Sequence, residues 1–275
     1  MVSALTDLPE LIDLLRLCLR SVEGAIPQIR FDIYNPTDRY LIAMLLAVRD
    51  YAHGVIALAD AKTTGAMPGT VRSALDAYVD IANLCDHTVY WKHLEAADAN
   101  SWSKVLQAAS RPDNPFLRAI RESESLPVGR SHYAERLKEL SSLGISKLDI
   151  GERFQMAGLK NEYESAYSLM SAEAHNNVSH LMTRYFDLTG DEIGLRQPGK
   201  ETLESPRFDL SNTLLMSDIL LHSTEKVLRH CGHGVAVLAE ARALFDPLAA
   251  KILKADSESV QSASQAPAQE NSNQL

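Results

Sequence analysis

Apolar residues recur at three- and four-residue spacing along most of this chain, a period that predicts helices and leaves little room for strands. Leu8, Leu11, Ile12, Leu15, Leu19 and Val22 form the first such stripe, behind Thr6 or Asp7 as N-cap, and Gly24 with Pro27 ends it. After the turn-like sequence YNPTD, the stretch 38–62 is apolar almost all round, with Leu41, Met44, Leu45, Val48, Ile56 and Leu58. An apolar surface that wide belongs at the centre of a bundle. The pattern resumes at Pro68, suited to a first helical turn, and predicts either one very long helix or two joined near Asn100, up to the breaker RPDNP.

Three short helices are expected next, in FLRAIRESES, SHYAERLKELSSLG and KLDIGERFQMAG, the middle one presenting Tyr133, Leu137 and Leu140 on one face. A continuous helix is expected over 161–187. The segment 189–209 mixes Gly, Pro and charge without helical period, which predicts an irregular insertion or a small β-hairpin. Helices return at 210–230 and 235–254, separated by CGHG. The expectation is an all-α multi-helix bundle, one domain over 1–254, with a disordered Ser/Gln/Ala-rich tail over 255–275. Its centre should be the second helix, the third, and the helix over 161–187. A two-fold contact, if the chain pairs with itself as a homodimer, is expected on the first and last helices.

Charge narrows the partners. Lys and Arg number 27 against 36 Asp and Glu, for a net −9, which disfavours nucleic acid. Cys18, Cys85 and Cys231 are far apart, odd in number and without CxxC spacing, as expected of reduced thiols in a cytoplasmic protein. Acidic residues interrupt the N-terminal apolar stretch where a signal peptide would need none, and no run of membrane-spanning length is read, so no membrane partner is expected.

The candidate chemistry lies on two polar stripes. Tyr167, Ser171 and His175, at i, i+4 and i+8, put a phenol, a hydroxyl and an imidazole on one helix face. Arg72, Asp76, Asp80 or Asn83, and His87 form a second stripe opposite Val71, Leu75, Tyr78, Ile81, Ala82 and Cys85. The bland alternatives are a buried imidazole satisfied by its neighbours and an exposed Arg72–Asp76 ion pair worth only about 0.3–0.5 kcal/mol. Nine histidines raise metal binding, but no HExxH motif occurs, and a site would need Asp76, Asp80, His87 and His175 to converge; no metal or other cofactor is expected. GxSxG, P-loop and GxGxxG motifs are likewise missing.

The run Arg-Ser-x-Leu-Asp-Ala-Tyr from Arg72 to Tyr78, followed much later by Tyr-x-x-Met-Ser-x-x-x-His from Tyr167 to His175, resembles an uncharacterised family of bacterial all-helical proteins. That resemblance implies a helical fold in which Arg72, Asp76, Tyr167, Ser171 and His175 are drawn together, and it supplies no activity. The helical design is also similar to HEPN-type proteins, many of them metal-independent ribonucleases of toxin, stress and anti-phage systems. Their signature, an Arg followed after four to six residues by His, is missing: Arg49–His53 and Arg229–His233 are each one residue short, and His180 and Arg184 run in reverse order. Two functions follow as expectations. The first is a cytoplasmic recognition module that binds a small polar ligand or a protein partner through the five-residue cluster. The second is a HEPN-like ribonuclease of a defence or toxin system, with His175 as general base and Arg72 stabilising the phosphorane.

Overall fold

Capping side chains set where the first two helices begin. The Asp7 carboxylate accepts from Glu10 N (2.9 Å) to open α1, Leu8–Ala25, and the Asn35 amide oxygen accepts from Thr37 N (2.9 Å) to open α2, Pro36–Asp60. The computed structural model describes residues 7–174, 177–187, 194–195 and 205–264. α1 buries Leu11, Leu15, Cys18, Leu19 and Val22 against α11, α2 and α12, so its apolar face is used inside the chain. By length and composition α2 is apolar enough to cross a membrane (mean hydropathy 1.6), contrary to the sequence expectation that no run of that length occurs. In the fold, its Leu41, Leu45, Val48, Ala52 and Val55 are buried and it packs on α3, α11 and α1.

The stretch from Pro68 to Ala109 forms two helices, α3 (Met67–Asp86) and α4 (Tyr90–Ala109), and the break lies at His87 rather than near Asn100. His87 takes an extended conformation (φ −131°, ψ 106°), two β-branched residues follow it, and Tyr90 is fully buried. The three short helices are α5 (Arg118–Arg121), α6 (Leu126–Ser142) and α7 (Ile150–Met156), and α6 packs chiefly on α4, its Tyr133 ring stacked on Trp102. Of the expected α6 face only Leu140 is buried.

The helix expected over 161–187 is interrupted. It consists of α8 (Lys160–Glu162), a π-helical turn over Tyr163–Tyr167, α9 (Ser168–Ala174) and α10 (Val178–Tyr185). The π turn coincides with a ring cluster: Phe154 lies 5.4 Å from Tyr163 and 5.0 Å from Tyr167 between centroids. The Ser168 hydroxyl donates to Tyr163 O, five residues back (2.7 Å), and Asn177 caps α10 by accepting from Ser179 N (3.0 Å). β1 (Phe186–Asp187) then pairs antiparallel with β2 (Gly194–Leu195), a hairpin reaching into the expected insertion.

α11 (Ser205–His230) and α12 (Ala239–Ser264) complete the all-α bundle. α11 holds the central place that the sequence pattern assigned to the 161–187 helix: it packs on α1, α3 and α2, while α9 packs mainly on α3. Its mixed composition hides this role, because Thr213, Ser217 and Thr224 are buried with their hydroxyls donated to the carbonyls of Asp209, Thr213 and Leu220, four residues back. A hydroxyl satisfied within its own helix can be buried without an outside partner. At the C-terminus of α11, Gly232 adopts φ 74° and His233 N bonds Leu228 O (2.8 Å), which stops the helix. α12 continues beyond Lys254 to Ser264; the remainder of the expected tail lies outside the described residues.

Candidate functional site

The polar stripe of α3 turns inward. Pro68 opens the helix, and at Gly69 a side-chain carbon would lie 3.8 Å from Ala174 Cβ, so α9 rests directly on the first turns of α3. That approach brings Tyr167 onto Arg72. Arg72 Nη2 donates to the Tyr167 hydroxyl (2.7 Å), and its guanidinium carbon lies 4.9 Å from the centroid of the same ring. Tyr167 is buried, and Tyr163 stacks on it at 5.5 Å.

Along the stripe the helix divides into two halves of different character. In the C-terminal half every charged group is answered. Asp80 accepts from the Tyr90 hydroxyl (2.6 Å) and from Arg153 Nε (2.8 Å) and Nη2 (2.7 Å). Asn83 donates to Arg153 O (2.9 Å), and His87 Nε2 lies 3.2 Å from Met156 O. α7 supplies all of these partners except Tyr90. It is held by a reciprocal capping box between Asp149 and Glu152. Burial alone would pull the Arg153 guanidinium down, but Asp80, Tyr90 and Asp76 outweigh it and hold it above its ordinary value.

In the N-terminal half the accounting does not close. Arg72 Nε and Asp76 Oδ1 are both buried, and neither has a hydrogen-bond partner among the described residues. The exposed Arg72–Asp76 ion pair that the spacing allows is not formed. Burial raises the Asp76 carboxyl above the usual range, aided by Asp80, and Arg153 and Arg72 offset only part of that. A buried donor or acceptor left unpaired costs about 1–3 kcal/mol; in this half two charged side chains carry such an atom, whereas in the C-terminal half the one such atom among the described residues is the neutral amide oxygen of Asn83.

Of the five residues expected to converge, Arg72, Asp76 and Tyr167 belong to one neighbourhood, and Ser171 is half-buried one turn further along α9. His175 lies outside the described residues, as do the side chains of His180 and Arg184. Residues not anticipated from the sequence are Arg153, Tyr90, Tyr163 and Phe154. The one legible signal for Arg153 was the Asp-x-x-Glu capping box that starts its helix. Asp80 and His87, which a metal site would have needed together with Asp76 and His175, are engaged by Tyr90, Arg153 and the Met156 carbonyl.

A family model described as a family of unknown function, DUF5677, matches residues 38–193, a span that runs from α2 to just short of β2 and contains the whole α3 stripe, α7 and α9. No curated protein and no solved structure matches the chain.

Proposed function

The chain belongs to the DUF5677 family of unknown function, and we propose that it is a helical recognition module whose site is the N-terminal half of the α3 stripe. One observation carries the reading: Arg72 Nε and Asp76 Oδ1 are buried, unpartnered and one helical turn apart. Native interiors satisfy such atoms with protein, water or a bound group, and here none of the described residues does. A donor beside an acceptor calls for the complementary pair, an acceptor and a donor on one small neutral group such as a carboxamide. Tyr167, stacked on Tyr163 and lying under the Arg72 guanidinium, would hold Arg72 in place beside that group. Ser171 and His175 would complete the polar lining from α9 and the residues after it. A peptide side chain of a protein partner offers the same chemistry as a free ligand.

The ribonuclease alternative asks Arg72 to meet a phosphate, together with His175 as base. Arg72 is instead stacked on Tyr167 with its Nε buried, and the chain carries a net −9, which together support a small neutral group over a polyanion. The test is a thermal-shift titration of the full chain with acetamide, glutamine and asparagine, alongside the variants Asp76→Leu and Tyr167→Phe and an assay of single-stranded RNA cleavage. The expected result is a concentration-dependent rise in Tm for at least one amide that disappears in Asp76→Leu, with no RNA cleavage. Cleavage by the wild type that Arg72→Met abolishes would overturn the reading, as would amide responses identical in wild type and Asp76→Leu.

A further inference from the structure

The last turns of α11 and the start of α12 line an open cavity of about 470 Å³. That volume is within the range of small-molecule sites, roughly 300–1,000 Å³. Its polar lining is His222, Glu225, Arg242 and Asp246, and its apolar wall is Val235, Ala236, Leu238 and Ala239 from the connecting turn and the first turn of α12. None of these residues takes part in the Arg72 cluster.

The lining sets two carboxylates against an arginine and an imidazole. Glu225 Oε1 accepts from Arg229 Nε (3.0 Å) and Nη2 (2.6 Å), and Oε2 accepts from Arg242 Nη2 (3.1 Å). Asp246 accepts from Arg242 Nη1 (3.4 Å). Both carboxylates are thus charge-paired with arginines of the protein itself, Asp246 through one long contact. The donors are not used up. Arg242 has five N–H groups in a fixed fork and spends two of them on these contacts. His222 is held through Nδ1 by Asp218, whose carboxylate lies 2.9 Å away, and its Nε2 has no partner among the described residues. The Asp218 carboxylate also raises the imidazole above its ordinary value, which favours the cation and makes Nε2–H a charge-assisted donor.

Spare cationic donors on one side and an aliphatic wall on the other define the ligand class. We infer that the α11–α12 cavity binds a small carboxylate with an apolar tail, its carboxylate held between His222 Nε2 and Arg242 and its tail lying against Val235 and Leu238. The Tyr78 ring of α3 lies beside the imidazole, its centroid 6.4 Å from that of His222.

The experiment is an NMR titration of the full chain, following the histidine Cε1–H resonances with sodium hexanoate and with 1-hexanol as the uncharged control. Hexanoate should shift the His222 resonance saturably and hexanol should not. Arg242→Met should weaken binding about tenfold or more, the loss of one charge-assisted contact. Arg242 also ties α12 to Glu225, so its variant can lose stability for that reason alone. Ala239→Trp, at an exposed position on the cavity wall, keeps the ion pairs and fills the space, and it should abolish the shift with little change in Tm. The inference is overturned if hexanoate gives no saturable shift, if hexanol matches it, or if Ala239→Trp binds as well as the wild type. None of these outcomes bears on the amide response of the Arg72 cluster.

Discussion

Asp76 and Asp80 sit one turn apart on α3, both withdrawn from water, and removing their charge should have opposite consequences. In Asp80→Asn the Arg153 guanidinium keeps its burial and loses the carboxylate that compensates it, 2.7 Å away. Breaking a buried pair from one side costs about 3–5 kcal/mol. Burial works against the ionised form of both carboxyls, so the contrast rests on geometry: in Asp76→Asn no ion pair is lost, because Oδ1 has no partner among the described residues. The substitution removes a charge that the fold disfavours, so stability at neutral pH should be unchanged or higher. The pH dependence carries the same sign. A carboxyl raised in the folded state leaves stability intact below its unfolded value of 3.8 and erodes it as pH rises through the folded value. Asp76→Asn should therefore match the wild type in acid and draw level or ahead at neutrality. Urea unfolding at both pH values measures this. With a slope of about 3 kcal/mol per molar, Asp80→Asn lowers the midpoint by roughly 1–1.7 M while Asp76→Asn does not lower it at neutral pH. A loss at Asp76 equal to that at Asp80 would refute the contrast between a paired Asp80 and an unpaired Asp76.

Three further outcomes are expected. Gly69→Ala places its methyl 3.8 Å from Ala174 Cβ, an ordinary contact, and should raise stability by up to about 1 kcal/mol by chemical denaturation, whereas Gly69→Leu should separate α9 from α3 and lower it. The Asp218–His222 pair contributes stability that is present below the ordinary imidazole value of 6.5 and lost as pH rises through the raised one; both groups are about two-fifths exposed, so a Tm profile should show only a shallow decline there, absent in Asp218→Asn. Burial pushes the Cys18 thiol up to about 12, so a thiol reagent should leave it unmodified in the native protein and label it readily in denaturant.

The period of three and four gave away most helices because their apolar stripes are continuous and their caps are encoded locally, as at Asp7 and Asn35. Two features escaped for physical reasons. The helix over 210–230 was legible but its central place was not, because α11 is buried through hydroxyls that bond their own helix, with Thr213 and Thr224 not exposed at all. The 161–187 segment has a helical alphabet throughout, but the ring cluster of Phe154, Tyr163 and Tyr167 accompanies a π turn, and Asn177 starts a new helix. Ring packing is a tertiary matter, and a periodicity count over one segment has no access to it.

The stripe on α3 illustrates the same limit at the level of the site. Spacing identified Arg72, Asp76, Asp80, Asn83 and His87 as one face, and they do share one. Whether each residue on that face is structural depends on what arrives opposite it. α7 reaches Asp80, Asn83 and His87 with an arginine and two carbonyls, and Tyr90 turns back from α4, so every charged group of that half is paired and only the amide oxygen of Asn83 lacks a partner among the described residues. α9 reaches Arg72 with a single phenol, whose one hydroxyl accepts from Nη2 and leaves Nε unanswered. A second acceptor from α9 or α7 at that level would have closed the network as it is closed one turn below. Its absence among the described residues makes the first turns of α3 the place where a bound group has something to contribute.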